Sequence, residues 1–238
     1  MAFHLRSASF PTKGHSNEAE VEVELQSLEA SISSPSATME AMCDGLKRLG
    51  DVYSHIEEII HLPSNQVCSI QQRKELDCEM ESSLELIDLC NSMQENFAEL
   101  KNTIQDLLLV LRRGDDASTQ GKIQSYIRLV RKAQKQFKKT SKKTTSDKDD
   151  CKLVRLMTKA RLVAASLLES ALCLLSKQVA MPKRSLVSKA FQKRSVVVCQ
   201  EEQFQALECI IVDLEHGAEL LFRSMIQSRV ALLNILSS

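Results

Sequence analysis

From Leu76 to Leu111 the apolar side chains recur every three or four residues without interruption: Leu76, Met80, Leu84, Ile87, Cys90, Met93, Phe97, Leu100, Ile104, Leu107 and Leu111. That period belongs to one face of an α-helix. At 1.5 Å per residue such a helix is roughly 55 Å long. A stripe of this length cannot stay in water, so the rest of the chain must supply apolar surfaces of similar length and shape. The C-terminal stop is also written in the sequence. Arg112 and Arg113 suit the negative end of the helix dipole, and Gly114 can adopt a left-handed cap.

The same period appears elsewhere. Between about residues 36 and 61 it is carried by Leu46, Leu49, Val52, Tyr53, Ile56, Ile59 and Ile60, and Pro63 forbids a simple continuation. A third helix is predicted over 119–144, with Ile123, Tyr126, Val130, Ala133 and Phe137 on one side. Asp147, Asp149 and Asp150 are cap-like residues before a fourth, marked by Val154, Met157, Ala164, Leu168, Leu172 and Leu175. Phe204, Leu207, Ile211, Leu214, Ala218, Leu221, Met225, Leu232 and Leu236 form a nearly continuous seam in the last. The expected fold is all-α: an elongated antiparallel bundle of four to five long helices with a disordered N-terminal tail. Residues 1–35 are read as a flexible segment containing a weak acidic helix at 19–32. Residues 36–238 are read as one bundle domain, with a basic connector near 182–198.

Composition narrows the function classes. With 31 basic and 31 acidic residues the net charge is zero, which removes the global electrostatic case for nucleic-acid binding. Only 6 Gly and 4 Pro among 238 residues argue against an all-β or loop-rich chain. No stretch approaches the roughly 18 apolar residues of a membrane span. The eight cysteines contain no CxxC pair and no zinc-finger spacing, so they read as reduced residues, Cys90 and Cys173 acting as small hydrophobes. No Gly-rich phosphate loop, HExxH or GxSxG occurs. His55 and His61 lie near Glu57 and Glu58 but read as surface residues. The sequence therefore implies no cofactor, no metal and no catalytic residue.

Three charge patterns remain. Arg128, Arg131, Lys132, Lys135, Lys138, Lys139, Lys142 and Lys143 fall within an arc of about 140° on the third helix, opposite its apolar stripe. Such a face suits an acidic protein or anionic lipid, or is simply solvated. No aromatic residues interleave with it as a nucleic-acid stacking platform requires. Glu201, Glu208, Glu215 and Glu219 form an acidic edge on the last helix, about 100° from its seam. Its partner is expected within the chain, with homo- or hetero-oligomerisation as the alternative. Arg161 and Arg229 fall on apolar seams, and Asp88, bordering the long seam, is the candidate carboxylate for them. Arg6-Ser7-Ala8-Ser9 is a basic serine segment at which added phosphate would reverse the charge. The expected location is cytoplasmic, with the membrane periphery as one alternative. The N-terminus, free of acid until Glu18, makes a plastid the other.

Several segments, in order, resemble a plant-specific helical family. They are Phe3-His4-Leu5-Arg6-Ser7-Ala8-Ser9, Leu49-Gly50-Asp51-Val52-Tyr53, the run from Ile56 to Pro63, the run from Ser83 to Cys90, and the run from Leu221 to Leu236. These are similar to the BYPASS-like proteins, which carry an Arabidopsis-type domain of unknown function. The resemblance implies a role in root and shoot development and brings no enzyme activity, cofactor or catalytic residue with it. The expectation is a non-enzymatic adaptor that binds other proteins, the alternative a peripheral protein held on anionic lipid by the basic helix.

Overall fold

The computed structural model describes residues 13–66, 69–140, 151–178 and 193–237. They form α1 (Lys13–Ser33), α2 (Met39–Ile60), the short α3 (Pro63–Gln66), α4 (Ile70–Arg113), α5 (Asp116–Thr140), α6 (Lys152–Gln178) and α7 (Lys193–Leu236), with no strand among the described residues. Local chemistry sets the boundaries. Thr38 caps α2 by accepting from the Ala41 amide at 3.2 Å. Ser69 and Gln72 build a reciprocal capping box that starts α4 before the first residue of its stripe. Gly114 ends α4 at φ 73°. Its neighbour Asp115 then accepts the Ser118 amide at 3.0 Å, so α5 begins earlier than its apolar pattern does. The Ser118 side chain and amide together hold the Asp115 carboxyl below its ordinary range.

α2, α7, α4 and α6 form a ring of four helices, α1 lies against α2 and α6, and α5 lies against α4 and α6. Cross-helix bonds give the directions. Lys101–Glu215 and Arg112–Glu201 set α4 antiparallel to α7. Cys43 to the Ile210 carbonyl and Ser228 to the Tyr53 carbonyl set α2 parallel to α7. Glu75 to the Cys151 amide and Glu79 to Arg161 set α4 parallel to α6. Helices consecutive in sequence are antiparallel, as expected, but two sides of the central ring are parallel. α5 makes this possible: it carries the chain back along α4, so that α6 starts again from the end where α4 started.

Phe97, Leu100, Ile104, Phe137, Ile211 and Leu214 are all at most 1% exposed, so the seams face one another. Leu84 is an exception among the stripe residues and stays 43% exposed. Two sequence expectations need correction. The weak acidic helix is the larger α1, and it buries Val21, Leu25 and Leu28 against the bundle rather than standing apart from it. The basic connector also ends sooner, because α7 begins at Lys193. Asp147, Asp149, Asp150 and most of the connector lie outside the described residues, as does the N-terminal tail.

α2 comes close to both of its large neighbours through glycine. A Cβ on Gly217 would stand 2.9 Å from the Leu46 Cβ, and one on Gly45 would stand 2.7 Å from a methyl of Leu167. Leu167 can turn aside, whereas the Leu46 Cβ is fixed to the backbone. Gly121, on the outer part of α5, has nothing within 4 Å. Gly217→Ala should therefore destabilise the protein by about 1–3 kcal/mol despite the better helix propensity of alanine. Gly121→Ala should stabilise it by about 0.5–1 kcal/mol. Urea unfolding midpoints of the two variants check both signs.

Candidate interaction surfaces and the buried ion pair

α5 has two unlike sides. Ile123, Tyr126, Val130, Ala133 and Phe137 are buried against α4 and α6. Tyr126 donates to the Leu175 carbonyl at 3.2 Å and Gln134 to the Leu172 carbonyl at 3.3 Å, fixing the rotation of the helix on α6. Burial pushes the Tyr126 phenol well above its usual range, so it stays a neutral donor. This rotation leaves Arg128, Arg131, Lys132, Lys135 and Lys138 exposed on the outer side. Among the described residues, the carboxylate in reach of this row is Glu99, 3.8 Å from Lys132. The side chain of Lys139 and all of Lys142 and Lys143 lie outside the described residues. The surface is a row of about 1.5 Å rise per residue carrying five unneutralised or weakly paired cations.

The acidic edge of α7 is engaged with α4. Lys101 reaches Glu215 at 2.5 Å, Gln105 donates to Glu208 at 2.7 Å, and Arg112 reaches Glu201 at 2.7 Å. Glu219 pairs with Arg223 one turn along its own helix. These pairs are partly exposed, so each adds little to stability, but their spacing fixes the register of α4 against α7. Three of the four carboxylates thus have their partner on α4 of the same chain.

The seam arginines do not use Asp88, which is exposed. Arg161 makes a two-pronged pair with Glu79, Nε to Oε1 at 2.9 Å and Nη2 to Oε2 at 3.2 Å, and Thr158 donates to Glu79 at 2.8 Å. Both charged residues are buried, Glu79 5% and Arg161 7% exposed. Arg229 donates instead to the Met80 carbonyl and to Ser83. The reason is angular. Asp88 is nine residues from Phe97 and so about 180° round the helix, whereas Glu79 is eighteen residues away and returns to about 0°, on the seam itself. The signal that could have found Glu79 was a carboxylate on one seam and a guanidinium on another.

Tyr53 lies in this neighbourhood. Burial, and then the negative charge of Glu79, raise its phenol far above the ordinary value. Cys43 and Cys90 are buried thiols, pushed up to about 11 and about 12 respectively by burial, so they stay protonated near neutral pH. Cys173, expected in the apolar stripe, is exposed, because it points away from the neighbours of α6. His55 is exposed, and no group of three metal-ligating side chains occurs among the described residues. No described helix is long and apolar enough to cross a membrane.

Arg161→Met alone should cost about 3–5 kcal/mol, since it leaves Glu79 buried without its countercharge. The double variant Glu79→Leu/Arg161→Met should recover most of that loss, because an apolar pair needs no desolvation of charge. A double-mutant cycle by chemical denaturation measures the difference.

A family model described as Protein BPS1 matches residues 45–235, which takes in most of α2, all of α3, α4, α5 and α6, and nearly all of α7. No curated protein and no solved structure matches the chain.

Proposed function

The chain belongs to the Protein BPS1, or BYPASS-like, family, and from that premise we propose that it serves root and shoot development as a non-enzymatic cytoplasmic adaptor. Membership fits a plant developmental protein. The docking surface in this reading is the outer face of α5, and the partner is a protein with a complementary acidic surface. The observation that carries it is the pairing on one helix of a buried apolar side with exposed Arg128, Arg131, Lys132, Lys135 and Lys138. A cationic row on a fixed helix, inside a chain of zero net charge, attracts and orients an acidic partner without attracting polyanions at large.

The same geometry weighs against lipid insertion. A helix that lies in a membrane surface buries its apolar face among the acyl chains. α5 has already spent that face on α4 and α6, so only screened charge contacts would remain for lipid.

The test compares the wild-type chain with Arg128→Glu/Arg131→Glu/Lys135→Glu/Lys138→Glu. Affinity purification from plant tissue at low salt should recover partner proteins with the wild type and lose them, by about tenfold or more, with the variant. Binding should weaken as salt rises, and the variant should fail to restore normal root and shoot growth in a plant lacking this chain. An unchanged partner set and full restoration would overturn the adaptor reading. Retained binding to phosphatidylserine vesicles with no protein partner would favour lipid instead.

A further inference from the structure

α7 carries a second apolar stripe, outside its buried seam. Ile226, Val230 and Leu233 recur at four and three residues, so they lie within an arc of about 60°. They are 36%, 51% and 44% exposed. α4 supplies the opposite bank. Arg73 donates to the Leu236 carbonyl at 3.4 Å and Arg229 to Ser83 at 3.0 Å, so this side of α4 borders the C-terminal part of α7. Leu84 stands three turns from Arg73 and next to Ser83, which puts it on the same side, level with Val230 and exposed. Leu84, Ile226, Val230 and Leu233 thus form an apolar strip along the boundary of two antiparallel helices, about 10 Å long from Ile226 to Leu233.

The α4 side of the strip is acidic. Asp77, Glu81 and Asp88 lie within about 60° of Leu84, further out on the helix, and are exposed without an ion pair among the described residues. The arginines nearby are engaged: Arg223 with Glu219, Arg229 with the Met80 carbonyl and Ser83, Arg73 with the Leu236 carbonyl. Lys74, at one end of the row, stays exposed against three carboxylates. An apolar strip bordered in this way is complemented by a helix whose apolar stripe is flanked by Lys or Arg. Such a helix fits the boundary of two packed helices through residues three and four apart, and about three turns of it match the row from Asp77 to Asp88. A second copy of this chain does not supply that complement. Its cationic α5 face bears none of the large exposed apolar residues, and its own α4–α7 strip would bring the same carboxylates.

We propose that the α4–α7 strip docks a basic amphipathic helix of a partner protein, with Leu84, Ile226, Val230 and Leu233 receiving its apolar stripe and Asp77, Glu81 and Asp88 its cations. The site is separate from the outer face of α5, which packs on α4 and α6, and it selects the opposite charge.

The experiment titrates the full chain with a synthetic Leu/Lys helix of about 18 residues, apolar on one side. The probe is fluorescently labelled and carries photoreactive benzoylphenylalanine at one apolar position. Anisotropy should rise to saturation, and crosslinks should map by mass spectrometry to residues 77–91 and 222–236. Val230→Gln/Leu233→Gln should weaken binding about tenfold through lost apolar contact. Asp77→Lys/Glu81→Lys/Asp88→Lys should weaken it about as much, and should make the strip bind a Leu/Glu helix of the same pattern, crosslinked at the same residues. That gain cannot come from a loss of folding. Crosslinks spread over other faces, or binding indifferent to both sets of changes, would overturn the proposal. So would a dimer of the chain that Val230→Gln/Leu233→Gln converts to monomer, since a second copy would then cover the strip.

Discussion

The structure depends on the burial of two apolar seams, those of the 44-residue helices α4 and α7, against each other and against the shorter α2 and α6. Each long helix extends about 66 Å, so its seam requires apolar neighbours along most of that length. Neither α2 nor α6 is long enough to cover a seam alone. The antiparallel α4–α7 pair provides the length, and α2 and α6 close the ring on its two sides. The glycine contact between α2 and α7 follows from the same demand, because the two backbones must come near enough for Leu46 to fill the space beside Gly217.

Parallel packing of α4 with α6 requires the chain to return to its starting end, and α5 is the return. Its cost and its use have one origin. A crossover helix on the outside of a four-helix ring can bury only one side, here the side bearing Tyr126 and Phe137. The other side must be compatible with water, and in this chain it is basic. The acidic edge of α7 has the opposite fate: it borders a helix of the ring, so Lys101, Gln105 and Arg112 of α4 occupy it. Charge placed beside a buried seam becomes register, and charge placed on the outer side of the crossover stays exposed.

The helices were legible where the apolar period was long. The stripe from Leu76 to Leu111 and the stop at Gly114 could be read directly, because 3.6-residue periodicity and a left-handed cap leave unambiguous marks. The starts of α4 and α5 were less visible, since Ser69, Gln72 and Asp115 act by hydrogen bonds that precede the apolar pattern. α1 was underestimated because, among its described side chains, the buried core residues are Val21, Leu25 and Leu28, set among many carboxylates, and their value depends on the α2–α6 groove beneath them. The basic residues of α5 could be assigned to one face from spacing alone. The partner of Arg161 could not, because choosing between Glu79 and Asp88 requires knowing which helix lies opposite and at what height. The α4–α7 strip is likewise a product of packing, since no local signature separates Leu84 from the buried members of its stripe.

The central claim is that α5 is locked by one face into the bundle and presents the other. Placing the same charge on adjacent residues of that helix tests it most directly, using the unfolding free energies of Phe137→Asp and Lys138→Asp measured in urea. The account predicts that Phe137→Asp, which puts a carboxylate among α4 and α6, lowers stability by about 3 kcal/mol or more. Lys138→Asp should change it by about 0.5 kcal/mol at most. Equal effects of the two substitutions, or a larger effect at Lys138, would contradict the assignment of faces.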